Sequence, residues 1–538
     1  MVAKNTFVKS GNEKMNRAWV GMFILYSLFS VVLIKLDLSY LGTVDDPFIR
    51  EFVYNGENRT LIMSYPLSTL LAYLYRMFPE VQWLSWTYFV YMEIIIAIYS
   101  FYISRMEDIA VRASMFLFGL IVLLFAWQNI TVTLLTLLLI VLAMPLVKRH
   151  QILFWTLFLL ASLLRDTIIV FVLPLIAVGY AIFFDKNYFS KKRFFAVLFL
   201  VAAVLATILS PRFDTEYQKW LSFNFAKGYF KDLHGKDVKN ILTDDEKLIA
   251  NSWYAQDESL LASEKIIAAA GSQLDLVLHR LTHLEPRQIL SKLYHHKILI
   301  ILLLATFYLL FYTQMSKTKK VLYAVYIVGF FTLFFIRDVN RVTYPLIFLW
   351  IIFLVTDLWK LKKRREICGV FFTASLLLAL DLPIYNQQHK KQKLGYEKEL
   401  VSLMKKHDLM YEPGLGFPLR INSFFVDAVS QNRLFDENHW ISNYILPAGW
   451  MCRHPYFYRS HNITWDKKRK YSSYYDFLIG EESAFIGSKE RDEVKNARIL
   501  GMYDRLYGKN GECVHKIKII DESQHFSVVK VERVCSSG

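Results

Sequence analysis

Residues 151–184 read QILFWTLFLLASLLRDTIIVFVLPLIAVGYAIFF. A single charged pair, Arg165-Asp166, interrupts an otherwise apolar run. If the pair is a turn, two short helices meet there. If it lies inside one long tilted helix, everything downstream moves to the opposite side of a membrane. Basic clusters decide between the two readings. They occur at Lys4/Lys9/Lys14/Arg17, Lys148-Arg149, Lys186/Lys191-Lys192-Arg193, Lys317/Lys319-Lys320 and Lys360/Lys362-Lys363-Arg364-Arg365. A turn at Arg165-Asp166 places all of them on one side, as the positive-inside bias requires, whereas one long helix scatters them.

Working outward from that break, apolar runs long enough to cross a hydrocarbon core recur over the first 385 positions. They fall near 18–38, 84–104, 112–128, 130–147, 151–164, 167–184, 194–210, 297–314, 321–336, 342–358 and 366–384. The expectation is an α-helical polytopic membrane protein of about eleven transmembrane helices, multi-pass in the cell membrane. Its N-terminus is cytoplasmic. Hydrophobic residues make up 54% of the 538 and aromatics 16%, more than a soluble chain of this length carries. The formal net charge of +16 then belongs to cytoplasmic loops and not to a nucleic-acid surface. No small-residue cleavage site follows the first apolar run, which reads as a retained span.

The outer side receives a first loop, 38–83, a long loop, 210–296, the polar turn Arg337-Asp338-Val339-Asn340-Arg341, and a C-terminal segment. The organisation is therefore a membrane domain, 1–384, and an extracytoplasmic α/β domain, 385–538. Pro66 to Phe78 reads as a helix preceded by Ser64 and Tyr65. Leu274 to Leu293 is amphipathic and suited to a membrane surface. Lys516 to Asp521 and Phe526 to Val531 alternate as strands around Asp521-Glu522-Ser523-Gln524. Of four cysteines, Cys513 and Cys535 are one possible disulfide pair, with unpaired buried thiols the alternative.

Asp45-Asp46 follows the first span directly. Carboxylates at a membrane surface act as a general base on a hydroxyl or hold a divalent cation; a solvated loop pair is the bland alternative. Arg165, Arg337 and Arg341 sit at outer span ends. Their guanidinium forks suit a lipid phosphate, against the alternative of snorkelling anchors. Glu93 is a lone acid inside a span and calls for a partner within the bundle. His295-His296 stands at the entry to a span, and Asp244-Asp245-Glu246 reads as a solvated helix start. There is no GxSxG, HExxH, P-loop or dinucleotide fingerprint.

On these features the chain resembles the GT-C-type glycosyltransferases, membrane enzymes that use polyprenyl-phosphate-linked sugars. The likeness rests on the acidic pair Asp45-Asp46 after span one, the large loop after span seven and the outer terminal domain. The stretch through Tyr65-Pro66-Leu67, Leu74-Tyr75, Pro79 and Trp83 also resembles a poorly characterised bacterial branch. The resemblance implies an inverting transfer of a sugar from the polyprenyl-phosphate donor to a glycan or lipid acceptor on the outer face. Asp45 would be the base and Asp46 its partner, or the reverse. Arg165, Arg337 and Arg341 are donor-phosphate candidates by charge and depth. Mannosyl- and aminoarabinose-transferring members often carry Asp-Glu where this chain has Asp-Asp, which leaves the sugar open. No WWD-type signature of oligosaccharyltransferases occurs. The rival readings are an O-antigen-type polysaccharide polymerase, which does not need the acidic pair, and a non-enzymatic transporter of lipid-linked glycans. A transporter places its ionisable groups near the midplane.

Overall fold

The computed structural model describes most of residues 2–183 apart from 37–44. It describes most of 215–381 apart from 233–240, 251–257 and 272–285, and in the C-terminal segment chiefly 474–480, 485–488, 493–508 and 512–535. The elements begin with α1 (Val2–Lys35), α2 (Asp45–Tyr54), α3 (Tyr65–Met77), α4 (Trp83–Ser104), α5 (Ile109–Gln128), α6 (Val132–Ala143), α7 (Gln151–Leu164) and α8 (Asp166–Phe183). They continue with α9 (Thr215–Asp232), α10 (Asp244–Ala250), α11 (Ser263–Ala270), α12 (Pro286–His295), α13 (Ile298–Tyr312), α14 (Lys317–Ile336), α15 (Asn340–Lys360) and α16 (Arg364–Asp381). Every predicted apolar run except 194–210, which lies outside the described residues, falls on one of these helices.

Among the described residues, five helices are long and apolar enough to cross a membrane: Asn16–Lys35 within α1, then α4, α5, Lys317–Phe335 within α14, and α15. At 1.5 Å per residue each reaches about 30 Å, the hydrocarbon thickness of a bilayer. Val132–Leu146, α7 and α13 are shorter apolar helices. The decisive stretch is two helices. Arg165 ends α7 in extended backbone (φ −151°, ψ 98°), and Asp166 begins α8, its carboxylate accepting from the Thr167 amide at 2.6 Å.

Burial sorts the bundle. All twelve residues of α6 are buried, so it is the central helix, apolar on every side. Only 17% of the α1 span is buried, and Ile24, Leu28, Val31 and Val32 are exposed, as lipid-facing residues are. Buried polar tips find partners. Trp127 Nε1 donates to Ser30 Oγ at 3.0 Å, and Trp350 Nε1 to Thr306 Oγ1 at 2.9 Å. Glu93 accepts from Ser27 Oγ at 2.5 Å, the bundle partner expected of it. Asp357, which sequence reasoning passed over, is buried; it receives the Lys319 ammonium and the Tyr323 hydroxyl, the latter at 2.8 Å.

Helix ends that the charge pattern assigns to one side meet one another. Arg364 pairs with Asp108 at 3.2 Å on the basic side, where Asp108 also caps α5 through the Ala110 and Val111 amides. On the other side Ser64 N donates to the Leu164 carbonyl at 3.1 Å and Ser64 Oγ to that of Leu163. Lys292 Nζ reaches the Phe334 and Phe335 carbonyls at 3.3 Å.

In the C-terminal segment, β1 (Met410–Tyr411), β2 (Phe485–Ser488), β3 (Cys513–Glu522) and β4 (Phe526–Cys535) form a sheet in the order β1-β2-β4-β3. The predicted strands are the antiparallel hairpin of β3 and β4, with a register shift between Ile519 and Asp521. Cys513 lies opposite Cys535 and is disulfide-bonded to it, the pairing named from sequence. Cys368 is a free thiol, and Cys452 lies outside the described residues. Between β1 and β2 the short α17 (Tyr474–Leu478) appears, and between β2 and β3 lies α18 (Glu493–Tyr507), which packs on β3. The boundary expected near 384/385 falls in 382–398, outside the described residues.

The acidic start Asp244-Asp245-Glu246 does more than face solvent. Thr243 and Glu246 form a reciprocal capping box, with bonds of 2.9 and 3.3 Å. Asp245 then bridges two guanidinium groups of α18, Arg498 at 2.6 Å and Arg505 at 3.1 Å. Tyr507 adds a bond to Ser259 at 3.0 Å. The long loop is thereby latched to the C-terminal domain. The hydrogen bond from Arg498 holds the Asp245 carboxyl below its ordinary pKa. A depressed carboxyl contributes stability above its unfolded pKa of about 3.9 and loses it as pH falls through the folded value. Spin labels on α10 and α18 should therefore hold one short distance at neutral pH and spread only below about pH 4. Asp245→Asn should show the spread already at neutral pH; an unchanged distance in that variant contradicts the latch.

Candidate functional site

α2 reads DDPFIREFVY, and its buried face is Asp46, Ile49, Arg50 and Val53. That spacing of i, i+3, i+4 and i+7 is one helical stripe. Two of the four are charged, so burial demands partners. Asp46, only 1% exposed, accepts through Oδ1 from the Tyr88 hydroxyl at 2.6 Å and from the Val132 amide at 3.0 Å. The Val132 amide is one of the first-turn donors that a helix cannot satisfy internally. Thr131 caps another of them, the Leu134 amide, at 3.1 Å. The α6 N-terminus thus takes one cap from its own chain and one from the first loop, and its dipole favours the carboxylate.

Arg50 lies one turn beyond Asp46 and is fully buried. It donates to Ser85 Oγ at 3.1 Å and interacts electrostatically with Tyr75, Tyr88 and Asp46. Burial lowers its pKa from the usual guanidinium value, and those three neighbours work against the shift. Burial also raises Tyr75, whose oxygen accepts from the Leu84 amide at 3.1 Å, and Arg50 opposes that rise.

The second predicted group arrives from the α7–α8 break. Arg165 is half-buried; it donates to Thr133 Oγ1 and lies 3.4 Å from Thr167 Oγ1. Its charge also acts on Tyr88. Asp46 and Arg165, 119 positions apart, therefore meet at consecutive residues of one helix N-terminus, Val132 and Thr133. The Ser64 contacts to Leu163 and Leu164 hold the head of α3 against the same break.

The remaining candidates are placed less directly. Asp45 heads α2, directly before the buried stripe. Arg341 is half-buried in the first turn of α15. Tyr344, one turn on, packs against Phe125 at 4.6 Å between ring centroids, just before the turn that leads to Thr131. His296 is buried with its ring edge-on to Phe334 and Tyr344. Arg337 lies outside the described residues. Among the described residues no group of three or more His, Cys, Asp or Glu comes together.

Arg50, Tyr88, Ser85 and Thr133 were not singled out from sequence. Arg50 had a usable signal, because it stands four residues after Asp46, the spacing that shares one face of a helix. Tyr88 and Thr133 had none, since they are ordinary residues of apolar helices until the first loop folds onto them. No protein-family model, curated protein or solved structure matches the chain.

Asp46 and Arg50 are buried charges that interact electrostatically, so removing one leaves the other less compensated, whereas replacing both costs far less. Asp46→Asn and Arg50→Met should each lower the thermal stability of the detergent-purified protein sharply. The double variant should recover much of that loss. Simple additivity would show that the two groups do not interact.

Proposed function

We propose that this chain is a membrane glycosyltransferase. It moves a sugar from a polyprenyl-phosphate donor to a glycan or lipid acceptor at the outer face. The observation that carries this reading is the meeting of first-loop Asp46 and rim Arg165 at the N-terminus of α6.

With the α6 N-terminus already capped by Asp46 and Thr131, the phosphate oxygens are met by the bidentate fork of Arg165. Arg165 takes the donor phosphate, with Arg337 and Arg341 as further candidates by charge. Asp46 is already engaged by Tyr88 and Val132 and serves as the anchor. Asp45, its neighbour at the head of α2, is the base for the acceptor hydroxyl. Direct displacement by that hydroxyl breaks the anomeric C–O bond, releases polyprenyl phosphate and inverts the carbon. The acceptor proton goes to Asp45, and no second nucleophilic carboxylate is required. The clustering of basic residues at alternate ends of the apolar runs supports this sidedness. So does the Cys513–Cys535 disulfide, a bond that persists in oxidising compartments.

The test is the surface-glycan composition of a deletion strain complemented with wild type, Asp45→Asn or Arg165→Lys, read by mass spectrometry. One sugar should vanish on deletion and return only with wild type. In a purified assay Asp45→Asn should lose about 10²–10⁴-fold in rate, the usual contribution of a general base. Arg165→Lys should raise the donor KM by removing the fork. Shortened chains of unchanged composition would indicate the polymerase instead, and full complementation by Asp45→Asn would remove Asp45 from the chemistry.

A further inference from the structure

Away from that rim, a partly open apolar cavity of about 180 Å³ lies among α1, α4, α5, α6, α15 and α16. On α6 it begins at Leu138 and continues through Leu142 to Pro145, just past the helix end. The Asp46 contact is at Val132, so the cavity occupies the opposite half of the bundle. Nothing in the proposed transfer uses it, and the inference below does not rest on that transfer.

Three features define what it would hold. First, its polar edges are turned away. Tyr26, Tyr99 and Tyr102 all contribute rings to the wall, yet their hydroxyls donate to the Phe116, Met115 and Leu142 carbonyls at 2.9, 2.7 and 2.6 Å. A space lined this way offers water no partners and stays dry. Second, it is long. Lining residues run from Met92 to Tyr102 on α4 and from Met115 to Ala126 on α5, each about 15 Å along the helix axis. The occupant is extended and parallel to the helices. Third, four of its walls, α1, α4, α5 and α15, contain helices of membrane-spanning length. The molecules available at that depth are lipids.

We propose that this cavity is a binding site for a single hydrocarbon chain of a membrane lipid, lodged between α4, α5 and α15. The chain belongs either to a phospholipid or to a prenyl phosphate, and both present the same extended hydrocarbon.

The full-length protein, reconstituted with a phosphatidylethanolamine carrying a diazirine acyl chain, or in a parallel sample with a diazirine-bearing prenyl phosphate, is washed in detergent and irradiated. Label is mapped by mass spectrometry. Label at Met92 and Met115 should survive washing that removes it from the exposed Phe311 and Tyr312 of α13. The probe that is retained identifies the source of the chain. Val122→Phe and Ile352→Phe fill the cavity from different helices. Each should reduce the retained label about tenfold, a loss of about 1.4 kcal/mol of binding. Loss of cavity label in parallel with that at Phe311 and Tyr312, for both probes, overturns the proposal. Because that comparison uses the wild-type protein, it stands even if neither filled variant folds.

Discussion

The arrangement of this chain depends on one carboxylate that cannot be left alone. Asp46 is buried at the end of the bundle, where an uncompensated charge is costly. Its donors include groups from different helices, the Tyr88 hydroxyl of α4 and the Val132 amide that opens α6. Satisfying Asp46 therefore fixes the first loop against the central helix. It also fixes Arg50, one turn away on the same face, against Ser85. Fully satisfied, such a network specifies one geometry; partly satisfied, it destabilises.

The same anchor organises the rim. With α2 held to α6, Thr133 remains to receive Arg165 from the α7–α8 break, and Ser64 ties α3 to that break. A carboxylate, a guanidinium and a helix N-terminus are thus brought together at one end of the bundle. The long loop is secured separately, through Asp245 and the arginines of α18. The C-terminal domain is thereby joined to the loop that follows the seventh predicted span.

Much of the fold was legible because solvation writes it into composition. The break at Arg165-Asp166, the helix read from Pro66 to Phe78 and observed at Tyr65–Met77, and the hairpin around residues 521–524 follow from charge, turn chemistry and alternation. Half of the site was legible too, since Asp46 and Arg165 are charges where the sequence is otherwise apolar. What sequence could not show was their meeting. Tyr88 and Val132 acquire their roles only through contacts 42 and 86 residues away. Nor did it show that Asp46 is an anchor, because burial of one acid in a pair is a tertiary property. Asp357 escaped notice in the last turn of the predicted run 342–358, beside the basic cluster at Lys360–Arg365, yet it is buried under Lys319 and Tyr323.

The central claim is that the rim at the α6 N-terminus binds a lipid phosphate through Arg165. The most direct measurement is the affinity of purified wild type and Arg165→Lys for a short-chain prenyl phosphate, followed by intrinsic tryptophan fluorescence. The account predicts that Arg165→Lys, equally stable and still cationic, binds about tenfold more weakly, the effect of losing one bidentate contact worth about 1.4 kcal/mol. Equal affinity in the two proteins would contradict it.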